Sequence, residues 1–125
     1  MAEGETTDAE TAAQSRGLSV ASTTADGIHV VTCAGEIDHH TGDKLRQALD
    51  LSDIARPRIV VDMRQVTFMD SSGINILIAA HIRLSETGGW LRLAAPTDSV
   101  LRTLQIVGVD AVIDCRETLR DALSI

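Results

Sequence analysis

Two short stretches gather most of the side chains able to do chemistry in this chain of 125 residues. The first is Phe68-Met69-Asp70-Ser71-Ser72-Gly73, in which two hydroxyls follow a carboxylate. The second is Gly35-Glu36-Ile37-Asp38-His39-His40-Thr41, with two carboxylates, two imidazoles and a hydroxyl. A nucleophilic serine needs an activating base, and the strand-turn-helix elbow that exposes one reads G-x-S-x-G. Met69-Asp70-Ser71-Ser72-Gly73 lacks the first of those glycines, and no His-Asp pair is placed to activate the hydroxyl. The chain therefore reads as a non-enzyme. His81 lies two to three turns along the helix that follows Ser71, on its apolar side, and is expected to be a satisfied buried or half-buried histidine and not a general base. Adjacent His39 and His40 project in different directions beside Asp38 and Asp43, and no further His or Cys has ligand spacing, so no metal is expected. The glycines form neither G-x-x-x-x-G-K-S/T nor G-x-G-x-x-G, and no cofactor is implied. Ser and Asp are also good helix caps. By residue type alone, Asp70, Ser71 and Ser72 fit either simple capping or a functional site.

The elements around these residues follow from hydrophobic period. Leu18 to Thr24 and Ile28 to Ile37 read as two strands joined at Asp26-Gly27, a strong short-range hairpin signal. Leu45, Ala48, Leu49 and Ser52 then mark one helical face, with Thr41 as cap and Asp43 in the first turn. After Pro57, Ile59 to Met63 is a β-branched run suited to a central strand covered on both faces. A polar break at Arg64 and Gln65 leads to Asp70-Ser71-Ser72-Gly73, after which Ile74, Leu77, Ile78, Ile82 and Ser85 fall at helical spacing. The serines thus sit at a strand-to-helix junction. Gly88 and Gly89 end that helix, Trp90 to Ala95 is a strand, and Pro96-Thr97-Asp98 opens a helix with Val100, Leu101, Leu104 and Val107 inward. A short strand at Val112-Ile113 and a last helix over Arg116 to Leu123 complete an α/β mixed sheet of four to five strands with about four helices.

Composition narrows the partners. The chain is 44% apolar, enough for one core, and has one Trp, one Phe and no Tyr, so stacking platforms for single-stranded nucleic acid are missing. Its formal charge of -7 opposes binding to phosphate backbones and anionic lipid. No run approaches a membrane span, and the acidic start is unlike a signal peptide, so a cytoplasmic protein that touches neither nucleic acid nor membrane is expected. Residues 1–16 lack large apolar side chains almost entirely and read as a disordered acidic tail ahead of one domain over 17–125. Cys33 and Cys115 have neither metal nor disulfide spacing and read as reduced small hydrophobes.

Taken together, Gly35-Glu36-Ile37-Asp38, Asp70-Ser71-Ser72-Gly73 and Thr87-Gly88-Gly89 before a strand resemble the STAS-domain anti-sigma factor antagonists from about Leu18 to the C-terminus. The resemblance implies a STAS-type fold and a partner-switching role. Such a protein binds a partner that is both anti-sigma factor and serine kinase of the histidine-kinase-like ATPase type, and so frees a sigma factor. Phosphorylation by that kinase inactivates it until a serine phosphatase reverses the modification. Carried onto this chain, Ser71 is the phosphoacceptor, and Asp38, Asp70, Ser71, Ser72, Gly73 and Asn75 form the partner-binding set. Asn75 departs from the Gly or apolar residue that many members carry, which bears on which kinase docks. The rival implication is a STAS module of a scaffold or transport complex in which Ser71 is only a cap. A monomer is expected.

Overall fold

The computed structural model describes residues 17–51 and 53–124, so the expected tail and Ser52 lie outside the described residues. Strand β1 (Leu18–Ala25) turns back through Asp26 and Gly27, both at positive φ (53° and 79°), into β2 (Ile28–Ile37). Those values suit the two-residue turn whose twist matches a hairpin. Then follow α1 (Gly42–Ala48), β3 (Arg58–Met69), α2 (Ser71–Glu86), β4 (Trp90–Ala94), α3 (Asp98–Ile106), a 3-10 turn (Val109–Ala111), β5 (Asp114–Arg116) and α4 (Leu119–Leu123). The five strands lie in sequence order; β1 is antiparallel to β2 and every later pair is parallel. This is the α/β mixed sheet expected, with β3 at its centre.

Alternation along the strands sends Val31, Cys33, Ile59, Val61, Met63, Leu91 and Leu93 to one face, where they meet Leu45 and Leu49 of α1 and its exit, Ile74, Leu77 and Leu84 of α2, and Val100 and Leu104 of α3. Each such aliphatic side chain contributes about 1.5–3 kcal/mol of transfer free energy by leaving water. The other face is covered by α4, whose Ala122 packs with Ile28, Val60 and Ala94. Arg92 holds α4 in place, donating to the carbonyls of Ala122 (2.9 Å) and Ser124 (2.6 Å) while its guanidinium stacks on Trp90.

Several expectations are corrected. The polar break at Arg64 and Gln65 is not a strand end: β3 runs on to Met69. Between Thr32 and Ala34 the register on β3 advances from Asp62 to Gln65, and between Gly35 and Glu36 from Val66 to Phe68, so β3 carries an extra residue at each place. Each bulge resets which face a side chain takes. Val66 and Met69 return to the core, while Arg64, Gln65, Thr67 and Phe68 are exposed. The last strand is Asp114–Arg116 and not Val112-Ile113, because the N–H groups of Val112 and Ile113 close the 3-10 turn by donating to Val109 O, which leaves Ile113 in the core and Val112 outside. The last helix starts at Leu119, capped by Thr118, which accepts from Asp121 N–H. Ile82 and Val107, expected inward, are 51% and 56% exposed. Asp62 is buried and held bidentately by Arg64 from the next position on the same face.

Candidate functional site

Adjacent parallel strands β2 and β3 end side by side, and Asp70 N–H donates to Ile37 O (3.1 Å), tying the two exits together. Asp70 is extended and caps α2: its carboxylate accepts from Ser72 N–H at 2.8 Å. Ser71 is therefore the first helical residue, and it is exposed. Gly73 is buried against both strand ends; a Cβ there would lie 2.7 Å from Met69 Cγ and 2.8 Å from Ile37 Cγ2. Within the quartet, Asp70 caps, Ser72 supplies the capped N–H and Gly73 permits close packing.

The β2 exit is built by one carboxylate and one hydroxyl. Asp38 Oδ1 accepts from the N–H groups of His40 (2.9 Å) and Thr41 (3.0 Å). Thr41 Oγ1 accepts from Asp38 N–H (2.9 Å) and donates to Glu36 O (2.8 Å). The Thr41 N–H above all holds the Asp38 carboxyl below its ordinary range; desolvation opposes it, and the His40 N–H and the Thr41 hydroxyl add to the lowering. Thr41, expected as the cap of α1, stands at that position but has helical backbone angles and makes no side-chain cap bond; its hydroxyl is spent on the Asp38 loop.

Between this loop and the first turns of α2 lies a shallow groove of about 300 Å³ lined by Asp38, His39, Gly42, Asp43, Arg46, Ser72, Asn75 and Ile76. Gly42 lets α1 approach α2: its added Cβ would lie 2.6 Å from Ile76 Cδ1. The structure thus brings Asp38, Ser72 and Asn75 to one groove, with Asp70, Ser71 and Gly73 in the adjoining junction. Residue-type reasoning missed the paired Asp43 and Arg46 on the rim and the part played by Thr41, and the His39 and His40 rings, expected to project in different directions, instead lie together, tilted by 39° with centroids 3.9 Å apart. The D-x-x-T spacing of Asp38 and Thr41 was the available signal for the part played by Thr41.

Three further residues bear on the chemistry. His81 stands ten positions after Ser71, about 15 Å of helix rise away. It is half-buried, but its Nδ1 is buried without a hydrogen-bond partner among the described residues, so the satisfied histidine expected is not what is found. Burial pushes the Cys33 thiol up to about 12 and the half-buried Cys115 thiol to about 11, which keeps both protonated and unreactive. Among the described residues, no three His, Cys, Asp or Glu side chains are grouped to hold a metal ion, and no helix is long and apolar enough to cross a membrane.

The family model of the STAS domain matches residues 19–122. The chain belongs to the STAS domain family. Among its relatives, an anti-sigma F factor antagonist from Paenibacillus polymyxa is 28% identical over 78% of this chain and 86% of its own length. The crystal structure of an anti-sigma factor antagonist from Mycobacterium paratuberculosis superposes on this STAS domain with a TM-score of 0.78 at 30% identity, covering 86% of this chain and 92% of that one. The Bacillus cell fate determinant SpoIIAA, solved in its phosphorylated form, superposes at a TM-score of 0.62 and 21% identity over 84% of this chain and 96% of that one, a likeness of fold.

Proposed function

We propose that this STAS domain is a non-enzymatic anti-sigma factor antagonist of the cytoplasm, switched by phosphorylation of Ser71. It binds an anti-sigma factor that is also a serine kinase of the histidine-kinase-like ATPase type, and a serine phosphatase resets it. The observation that carries the reading is Ser71 itself: exposed at the first position of α2, in a junction where Asp70 caps the helix, Gly73 packs against both strand ends and Ser72 is half-buried with its N–H given to the cap. The docking face comprises Asp38, Asp70, Ser71, Ser72, Gly73 and Asn75 and continues down α2. At about 100° per residue, Ser71, Asn75 and Ile82 lie within about 40° of one another. This gives the exposed Ile82 a place against the partner.

A phosphate on Ser71 adds about -1.5 to -2 charges. The amino end of α2 tolerates them, since helix N-termini favour anions. A partner seated over Asp38, Asp43 and Asp70 does not, because the added charge must be desolvated beside carboxylates already present. Phosphorylation thus releases the partner and leaves the fold intact. The test is calorimetric titration of the host's histidine-kinase-like ATPase with wild-type protein and Ser71→Asp. A loss of affinity of about a hundred-fold or more is expected for the variant. Equal affinity would make Ser71 a structural cap and favour the scaffold or transport module.

A further inference from the structure

The alternation of β3 breaks just before the Ser71 junction, and the break decides which of two neighbouring side chains leaves the core. Val66 packs inside. An unbroken strand would then send Thr67 out, Phe68 in and Met69 out. The extra residue between Val66 and Phe68 reverses the last two. Met69 is buried, and Phe68 is 48% exposed. The irregularity is fixed from the neighbouring strand: Gly35, opposite Val66, has φ 117°, and a Cβ there would collide with Gly17 O. Thr67 Oγ1 donates to Gly35 O at 3.3 Å.

The chain has one Phe, one Trp and no Tyr. Trp90 stacks under the Arg92 guanidinium and packs with α4 against the sheet, so Phe68 is the aromatic turned to the outside. Its surroundings are polar: Glu36 stands across from it on β2, and Gln65 and Thr67 are exposed beside it on β3. A large apolar group ringed by polar ones is the composition of a binding hot spot. What covers it follows from its place. Phe68 precedes Ser71 by three residues, at most about 11 Å between Cα atoms. A stable contact takes about 800 Å² from each partner, a disc of about 16 Å radius. Because Val66 and Met69 face the side of α1, α2 and α3, Phe68 leaves the sheet on the other side. A kinase seated over the end of the sheet, with its active site at the Ser71 hydroxyl, meets both.

We propose that Phe68 is the specificity anchor of that contact, entering an apolar pocket of the kinase partner while Ser71 enters its active site; this rests on the phospho-switch reading above. Buried aromatic side chains contribute the most area per residue to an interface. Phe68 and the exposed face of α2, with Asn75 and Ile82, lie on opposite sides of Ser71, so contacts to both fix the orientation of the hydroxyl between them. The two halves of the switch are thereby separated: the anchor selects which kinase docks, and the charge added at Ser71 sets when it leaves.

Calorimetric titration of the host's histidine-kinase-like ATPase with full-length wild type, Phe68→Ala, Phe68→Lys and Ser71→Asp tests this, with melting temperatures alongside. Each Phe68 variant is expected to bind about thirty-fold or more weakly and to melt within about 4 °C of wild type, because the side chain is half exposed. With ATP, Phe68→Ala should raise the KM for this chain and leave kcat near wild type, since an anchor away from the hydroxyl holds ground and transition states alike. If Phe68→Ala melts below that range, Phe68→Lys decides. Wild-type affinity in the Phe68 variants with binding lost in Ser71→Asp overturns the anchor and leaves the switch standing. Wild-type affinity in Ser71→Asp removes the switch reading, and a Phe68 effect seen with it would place the contact away from Ser71 and overturn the proposal. Sedimentation that finds a wild-type dimer dissolved by Phe68→Ala would give the side chain to a second copy and overturn it equally.

Discussion

The exits of β2 and β3 use the same residue types to different ends. At the β2 exit a carboxylate and a hydroxyl, Asp38 and Thr41, bind the loop and each other, and both are spent on holding it. At the β3 exit the carboxylate of Asp70 is again spent, on Ser72 N–H, but the hydroxyl of Ser71 is left exposed at the start of a sixteen-residue helix. A hydroxyl committed to structure cannot be modified without cost to the fold; one left over can. The contrast teaches where a switch can be placed: on the residue that the junction does not need.

The contrast can be broken most strongly at Gly73, which packs against the ends of both strands. Gly73→Val places atoms where Met69 and Ile37 now lie and is expected to destabilise the fold by about 1–3 kcal/mol, read from denaturant midpoints. Thr41→Val keeps the shape and deletes the hydroxyl between Asp38 N–H and Glu36 O, and should cost about 1–2 kcal/mol in the same assay. Acid sharpens the comparison. The Asp38 carboxyl is held below its ordinary range chiefly by the Thr41 and His40 N–H groups. Its contribution is present above the unfolded carboxylate range and is lost as pH falls through the lower folded value. Melting temperatures of wild type and Asp38→Asn should therefore converge as pH drops below that range, while a gap that stays constant would show that the loop does not bind the charged form. The smallest effect belongs to Ser71→Ala, expected within about 0.5 kcal/mol of wild type because no structural bond is removed. A loss as large as that of Thr41→Val would erase the distinction between the two exits.

Much of this arrangement was legible in the chain. Asp26-Gly27 specifies its turn by backbone angle, and Pro57 and Gly88-Gly89 punctuate the elements around β3 and α2, so the order of strands and helices could be read directly. The placement of Ser71 at a strand-to-helix junction followed from Met69 ending one period and Ile74 beginning another. What escaped was the outcome of tertiary contact. The bulges of β3 put Arg64 and Gln65 side by side on exposed positions, which imitates a loop in the one-dimensional pattern although the strand continues. Thr41 occupies the position of a cap, and only the nearness of Glu36 O and Asp38 N–H decides that its hydroxyl turns the other way. The buried stripe of α2 is as wide as the surface beneath it, so Ile82 faces outward although its spacing from Ile78 is helical. His81 shows the same limit: its Nδ1 lies in a place that supplies no partner, and no local signal reports that.

The most direct test of the central claim is to incubate the full chain with the partner kinase and ATP and map the modified residue by mass spectrometry in wild type and Ser71→Ala. One phosphate on Ser71 is predicted in the wild type and none in the variant, with Ser72 and Thr41 unmodified in both. Phosphate on Ser72 or Thr41, or undiminished incorporation in Ser71→Ala, would contradict the claim that the switch sits on the exposed hydroxyl at the first position of α2.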